Sequence, residues 1–247
     1  MDLSTTRILV TGGTSGVGRA LVTALTERGA AVATCGRTAV PGPDGHGGPV
    51  LFTADLARPG EAARLVGRAA ERLGGLDAVV ANAGVQRAIP LTDGTGPGLL
   101  DVIRDEFAVN LTSVAELAAA AWPHLAAGPR SAFVAVTSGL AYAPKRSAPV
   151  YCAAKAGLHT LLDTLRYQAE AATPQVRVQK IVLPLVDTAM TAGREGPARK
   201  IPAEDAAAAI VRALRTGRAV TPVGAARTLL ALHRLSPAAA RRVMRDA

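Results

Sequence analysis

Tyr151-Cys152-Ala153-Ala154-Lys155 sets a phenol and an ammonium four residues apart. On a helix, positions i and i+4 share a face, so both head groups reach the same small volume. A phenol titrates at roughly 10 in water, and a neighbouring cation favours its ionised form, which suits it to pass a proton. That is general acid/base chemistry. A half-exposed Tyr beside a solvated Lys has the same spacing, so the pair gains meaning only from what the rest of the chain brings to it.

The first such element is a short apolar run, Arg7 to Thr11, that feeds into Gly12-Gly13-Thr14-Ser15-Gly16-Val17-Gly18 and then into the helical pattern of Ala20, Leu21, Ala24 and Leu25. Strand, glycine turn and helix in that order form a phosphate cradle. Glycine lets the backbone approach a diphosphate, and the helix start meets its charge with N–H groups and dipole. Gly12, Thr14, Ser15, Gly16, Val17 and Gly18 are the candidate contacts. A second strand, Ala30 to Cys35, ends at Gly36-Arg37. An acid at that end would bind the ribose hydroxyls of NAD, whereas Arg37 suits the 2′-phosphate of NADP, so NADP(H) is preferred and NAD(H) stays open. Thr38 to Pro49 is too rich in Gly and Pro for a helix.

Val50 to Ala54 is a third strand, with Asp55-Leu56 at its end, and Pro59 to Leu73 an amphipathic helix. Leu76 to Ala81 is the next strand, followed at once by Asn82-Ala83-Gly84. Strand ends on one side of a parallel sheet are where ligands collect. Asp55 is placed to accept from an adenine amino group, and Asn82 to brace the sheet behind a cofactor. Gln86 to Gly98 is a loop at the substrate rim. A long helical stretch, Leu99 to Ala127, is expected to break near Trp122-Pro123 and carries Asn110, a poor interior residue that invites a reason. Ser131 to Thr137 is a fifth strand ending at Ser138-Gly139, and the helix of Tyr151 and Lys155 runs to Ala172. Val176 to Leu183 is a sixth strand, residues 189 to 202 a loop, Ala203 to Thr216 a helix and Arg218 to Thr221 a last strand. A basic helical tail follows from about residue 224, with Ser236-Pro237 as cap and first helical residue. This alternation predicts one domain over residues 1–247, an α/β doubly wound parallel sheet of about seven strands.

With 247 residues and 49% hydrophobic content the chain can bury a large core. It has no apolar run of the roughly 20 residues that span a bilayer and no secretory leader, so a soluble, cytoplasmic protein is expected. Cys35 and Cys152 read as small core residues, and no metal site is expected. His46, His124, His159 and His233 read as surface or helix-flank residues, and Asp163 and Glu170 as solvated. The net charge of +9 is spread along the chain without a lysine run, and aromatics make up 3%, which argues against nucleic-acid binding.

Taken jointly, Thr11/Gly12/Gly16/Gly18, Asp55, Asn82-Ala83-Gly84, Asn110, Ser138, Tyr151 and Lys155 resemble the short-chain dehydrogenase/reductase family over nearly the whole chain. The stretch around Tyr151 and Leu183-Pro184-Leu185-Val186-Asp187-Thr188 is similar to its DltE-like branch. The resemblance implies an NADP-dependent oxidoreductase that interconverts a small-molecule carbonyl and a secondary alcohol. Tyr151 would be the general acid/base and also touch the cofactor, Lys155 would lower its pKa and hold the nicotinamide ribose, Ser138 would bind the reacting oxygen, and Asn110 would hold a water leading to Lys155. Val186 and Thr188 would meet the nicotinamide end, and a homo-oligomer, dimer or tetramer, is implied as well. Two positions depart from the family's pattern: Leu183-Pro184 replaces Pro-Gly, and Ser15 stands where many NADP-preferring members carry a base.

Two other readings compete. A non-catalytic dinucleotide-binding sensor or scaffold would have no use for Asn110, Ser138, Tyr151 and Lys155 together. Attachment of the basic tail to a membrane surface is a weaker reading than an ordinary packed helix pair. Lys145, Arg146, Arg194, Arg199 and Lys200 lie in loops that would rim the pocket, so an anionic substrate is a further expectation.

Overall fold

The computed structural model describes residues 1–38, 48–93, 96–194 and 199–246. Seven strands form one parallel sheet in the order β3-β2-β1-β4-β5-β6-β7. They are β1 (Arg7–Val10), β2 (Ala31–Gly36), β3 (Val50–Thr53), β4 (Ala78–Ala81), β5 (Ser131–Ser138), β6 (Val176–Leu183) and β7 (Val220–Pro222). The strand order reverses between β1 and β4, so the connections leaving them go to opposite sides and open a crevice at their carboxyl ends. This is the doubly wound architecture expected from the alternation of strands and helices.

The central strands are buried on both faces, which is why they read as continuous apolar runs such as Ala-Phe-Val-Ala-Val in β5. One face of the sheet is covered by α1 (Gly16–Thr26) and α6 (Ala203–Thr216), which bury Leu21, Leu25, Ile210 and Leu214 against Ile8, Val80 and Val134. The other is covered by α2 (Glu61–Leu73), α4 (Ser113–Ala127) and α5 (Pro149–Ala172), through Leu65, Leu117, Leu158 and Leu162. At the chain's end α7 (Ala225–Leu235) packs against α8 (Pro237–Met244), whose cap is Ser236 accepting from the Ala239 N–H at 3.2 Å.

Several boundaries differ from expectation. The Leu99 to Ala127 stretch does not break at Trp122-Pro123, because Pro123 sits inside an unbroken α4. The break is earlier, where α3 (Leu99–Phe107) passes into a π-helical turn, Ala108–Thr112, before α4 begins. Such turns widen a helix locally and re-aim a side chain, here Asn110. His159 is buried rather than on a helix flank, and the Asp163 carboxylate is paired, at 2.6 Å from Lys180 and 3.0 Å from Arg166. Both Cys35 and Cys152 are buried free thiols. Most of the Gly/Pro-rich loop, residues 39–47 with His46, lies outside the described residues, as do 94–95 and 195–198.

Candidate active site

The glycine turn owes its shape to two backbone positions that other residues resist. Gly12 and Gly16 have φ of +69° and +50°. A Cβ on Gly12 would stand 3.0 Å from the Ala83 Cα, and one on Gly18 only 2.0 Å from the Gly12 carbonyl oxygen. The turn is locked to the end of β4: the Thr11 hydroxyl accepts from the Asn82 and Ala83 N–H groups at 3.1 and 3.0 Å, and the Asn82 amide donates to the Thr11 carbonyl at 3.0 Å. Asn82 therefore braces the two central strands, as its position at a strand end predicts.

This junction opens into one cleft of about 620 Å³ that runs along the carboxyl ends of the strands. Gly12, Thr14, Ser15, Gly16, Val17, Gly18, Arg37, Asp55, Leu56, Asn82, Ala83, Gly84, Val186 and Thr188 all line it, together with Ser138, Tyr151 and Lys155. A dinucleotide fits these residues. The Ser15 side chain makes no cap hydrogen bond at the start of α1, so the first N–H groups there are left to an anion, and no acid sits in that turn to oppose it. Arg37 is exposed at the end of β2, within the cleft. The Asp55 carboxylate accepts from the Ala57 N–H at 3.1 Å.

Tyr151 and Lys155 stand on the cleft side of α5. The Lys155 ammonium lies 5.8 Å from the Tyr151 ring centroid and donates to the Val136 carbonyl of β5 at 3.0 Å. Burial holds this ammonium down to about 8 and pushes the phenol up to about 12, with Ser138 pulling the phenol the other way through a hydrogen bond. The expectation that Lys155 lowers the phenol is thus not met by the protein alone. Desolvation is the largest influence on the phenol, which is held protonated. Ser138, the last residue of β5, accepts from the Leu140 N–H at 3.1 Å, which leaves its own proton free to donate.

Asn110 does not line the cleft. It is fully buried behind it, donating to the Val85 carbonyl at 2.8 Å and accepting from the Val85 N–H at 3.1 Å. A Cβ on Gly84 would lie 3.1 Å from the Asn110 oxygen and 3.9 Å from the Lys155 nitrogen, so Gly84 is the gap through which these groups approach the cleft. One helical turn earlier Glu106, also fully buried, accepts from the Arg87 N–H. Glu106 was not singled out by sequence; its spacing of four from Asn110 is the signal that could have found it. His159 and Asp163 extend the Tyr151 and Lys155 stripe at the same interval, and burial holds His159 down to about 4. Of the five loop cations, Arg146 pairs with Asp246, Arg194 donates to the Gln86 carbonyl at 2.9 Å, and Lys200 donates to the Thr191 carbonyl at 2.7 Å. Lys145 and Arg199 line the cleft. The remaining lining, including Leu140, Met190, Leu229, Leu232, Val243 and Met244, was not foreseen.

A switch-point crevice with a glycine turn at one end and a Tyr/Lys/Ser cluster at the other defines a dinucleotide-dependent oxidoreductase. The chain belongs to the short chain dehydrogenase family, whose model matches residues 6–197. It is 35% identical over 193 residues to "Uncharacterized oxidoreductase DltE" of Bacillus subtilis, covering 77% of this chain and 75% of that protein. It is 31% identical to "Granaticin polyketide synthase putative ketoacyl reductase 2" of Streptomyces violaceoruber, over 74% of each. A short chain dehydrogenase of Burkholderia cenocepacia solved in complex with NADP superposes with a TM-score of 0.83 at 26% identity, covering 99% of both chains. An NADH-dependent reductase, A1-R', responsible for alginate metabolism gives 0.77 at 25% identity, covering 90% of this chain and 96% of that one. The protein is accordingly an NAD(P)-dependent enzyme of that family. Among the described residues no helix is long and apolar enough to cross a membrane, and no cluster of His, Cys, Asp and Glu could hold a metal.

Proposed function

We propose that this protein is an NADP(H)-dependent reductase that interconverts a carbonyl and a secondary alcohol, with Tyr151 as general acid/base. The convergence of Tyr151, Ser138 and Lys155 on one wall of the cleft, next to Gly84, carries this reading. A nicotinamide bound there supplies the hydride. Tyr151, held protonated by burial, gives its proton to the substrate oxygen. Ser138 donates a hydrogen bond to the same oxygen and stabilises the charge that develops on it. Lys155, tied to Val136, places a cation beside the phenol that loses its proton. Asn110 positions these groups by fixing the Val85 backbone on which the cleft wall turns.

Preference for NADP(H) rests on Arg37, with no acid at the end of β2 to bind ribose hydroxyls instead. The test is NADPH oxidation with a panel of ketones and quinones. Turnover with at least one ketone, and slower turnover with NADH, is expected. Tight NADPH binding without turnover on the whole panel would favour a sensor instead.

A further inference from the structure

We propose that the C-terminal helix pair α7–α8 walls an apolar lobe of the cleft, strapped in place by Arg146, and that the substrate is therefore a carbonyl compound with a hydrocarbon chain. The inference rests on the reductase reading and names its substrate class.

Helix α7 lies directly on the turn after Ser138: a Cβ on Gly139 would stand 2.8 Å from the Leu229 Cδ2 atom. Leu229 and Leu232 of α7, Val243 and Met244 of α8, Leu140 and Met190 add apolar side chains to the lining of the cleft that holds Ser138 and Tyr151. Val243 and Met190 are 49% and 43% exposed although they line a concavity. Apolar side chains left wet in a cleft gain from an apolar occupant, which removes their surface from water along with its own.

Helix α7 is anchored by Ala226 and Leu230 packed with Val182, and the end of α8 is tied to the loop before α5. The Arg146 N–H donates to the Arg245 carbonyl at 2.8 Å, and its guanidinium meets the Asp246 carboxylate at 2.5 Å. Arg146 lies in the loop that leads into the helix of Tyr151, so the strap fixes α8 relative to the reacting group. Both α7 and α8 lie beyond residue 197, where the family match ends. Three of the five loop cations are engaged within the protein, leaving Lys145 and Arg199 to oppose an apolar occupant.

The experiment uses the full chain with NADPH and the 2-alkanones from butanone to decanone. Binding of the matching unreactive alkyl amides to the NADP⁺ complex is followed by calorimetry. For the wild type, kcat/KM and amide affinity should rise about fourfold per methylene until the lobe is full. Leu232→Trp and Met244→Trp each fill the lobe from a different helix, so a folding defect in one leaves the other informative. Each should lower the decanone-to-butanone ratio of kcat/KM at least about tenfold, as loss of two buried methylenes would. Asp246→Ala should raise KM for decanone more than for butanone. A flat chain-length dependence, or an unchanged ratio in both Trp variants, would overturn the proposal. So would a carboxylate-ended chain preferred over its methyl-ended counterpart, which would assign the cleft to an anion met by Lys145 and Arg199. Chain-length-dependent amide binding without turnover of any ketone would keep the lobe and refute the reductase reading.

Discussion

Arg37, the residue on which the proposed preference for NADP(H) rests, stands exposed in the cleft at the end of β2. Replacing it by Ala should weaken NADPH binding about 10- to 100-fold, the worth of a charge-assisted hydrogen bond, and leave NADH binding unchanged. Fluorescence titration with both cofactors checks this. Glu106 tests burial instead. Its carboxyl is fully buried, and desolvation raises its pKa above the usual carboxylate range. A raised pKa means the folded state resists ionisation, so the stability linked to Glu106 is greatest in acid and lost as pH rises through its folded value. Glu106→Gln keeps an acceptor for the Arg87 N–H and removes the charge. Melting curves from acid to neutral pH should show the variant gaining on wild type as pH rises; a variant that loses ground instead would show that the charge itself stabilises the fold. The residues that titrate near the cleft were legible in the sequence as types and spacings, but their pKa directions were not. Those depend on how much water each group loses, which no spacing encodes, and this is why Lys155 was expected to lower a phenol that burial raises.

Among the elements, strands were legible because they are short β-branched or apolar runs, most of them closed by Gly, Asn or Asp, and alternate with helical patterns except across the Gly/Pro loop after β2. The π turn at Ala108–Thr112 was not, since it adds one residue to a helical turn without changing composition; Pro123, the apparent breaker, is carried inside α4. Helix α5 shows the same limit. Its spacing picks out Tyr151 and Lys155, whereas on the same stripe His159 reads as a surface or helix-flank residue and Asp163 as solvated. Asp163 is held by β6, where the nearly buried Lys180 meets it at 2.6 Å, and His159 packs edge-on against the Tyr142 ring at 4.5 Å between centroids. Burial works to raise the Asp163 pKa, but the hydrogen bonds and charges of Lys180 and Arg166 together outweigh it and leave it lowered. The pair therefore stabilises above the ordinary carboxylate range and is lost as pH falls through the depressed value. Asp163→Asn should cost about 1 kcal/mol near neutrality, less than the 3–5 typical of a fully buried pair because Asp163 is partly in water. Chemical denaturation at neutral and acid pH checks this: the difference from wild type should shrink in acid.

At the scale of the whole molecule, reversal of strand order between β1 and β4 opens the crevice, and everything chemical gathers at its mouth. The glycine turn, the Asn82-Ala83-Gly84 end of β4, Ser138 at the end of β5 and Val186 after β6 come from strands far apart in sequence and adjacent in the sheet. The residues proposed to hold the cofactor were legible as lining one cleft because they sit at strand ends in fixed order. The substrate half was not, because Leu229, Leu232, Val243 and Met244 reach the cleft from a tail that reads only as a basic helix pair. The central claim is that Tyr151 is the proton donor in a site that binds NADP(H) independently of it. Single-turnover oxidation of bound NADPH by a ketone substrate, measured for Tyr151→Phe beside wild type, tests that most directly. Loss of about 10²- to 10⁴-fold in rate with unchanged NADPH affinity is the predicted result. A variant that oxidises NADPH at the wild-type rate would contradict the account.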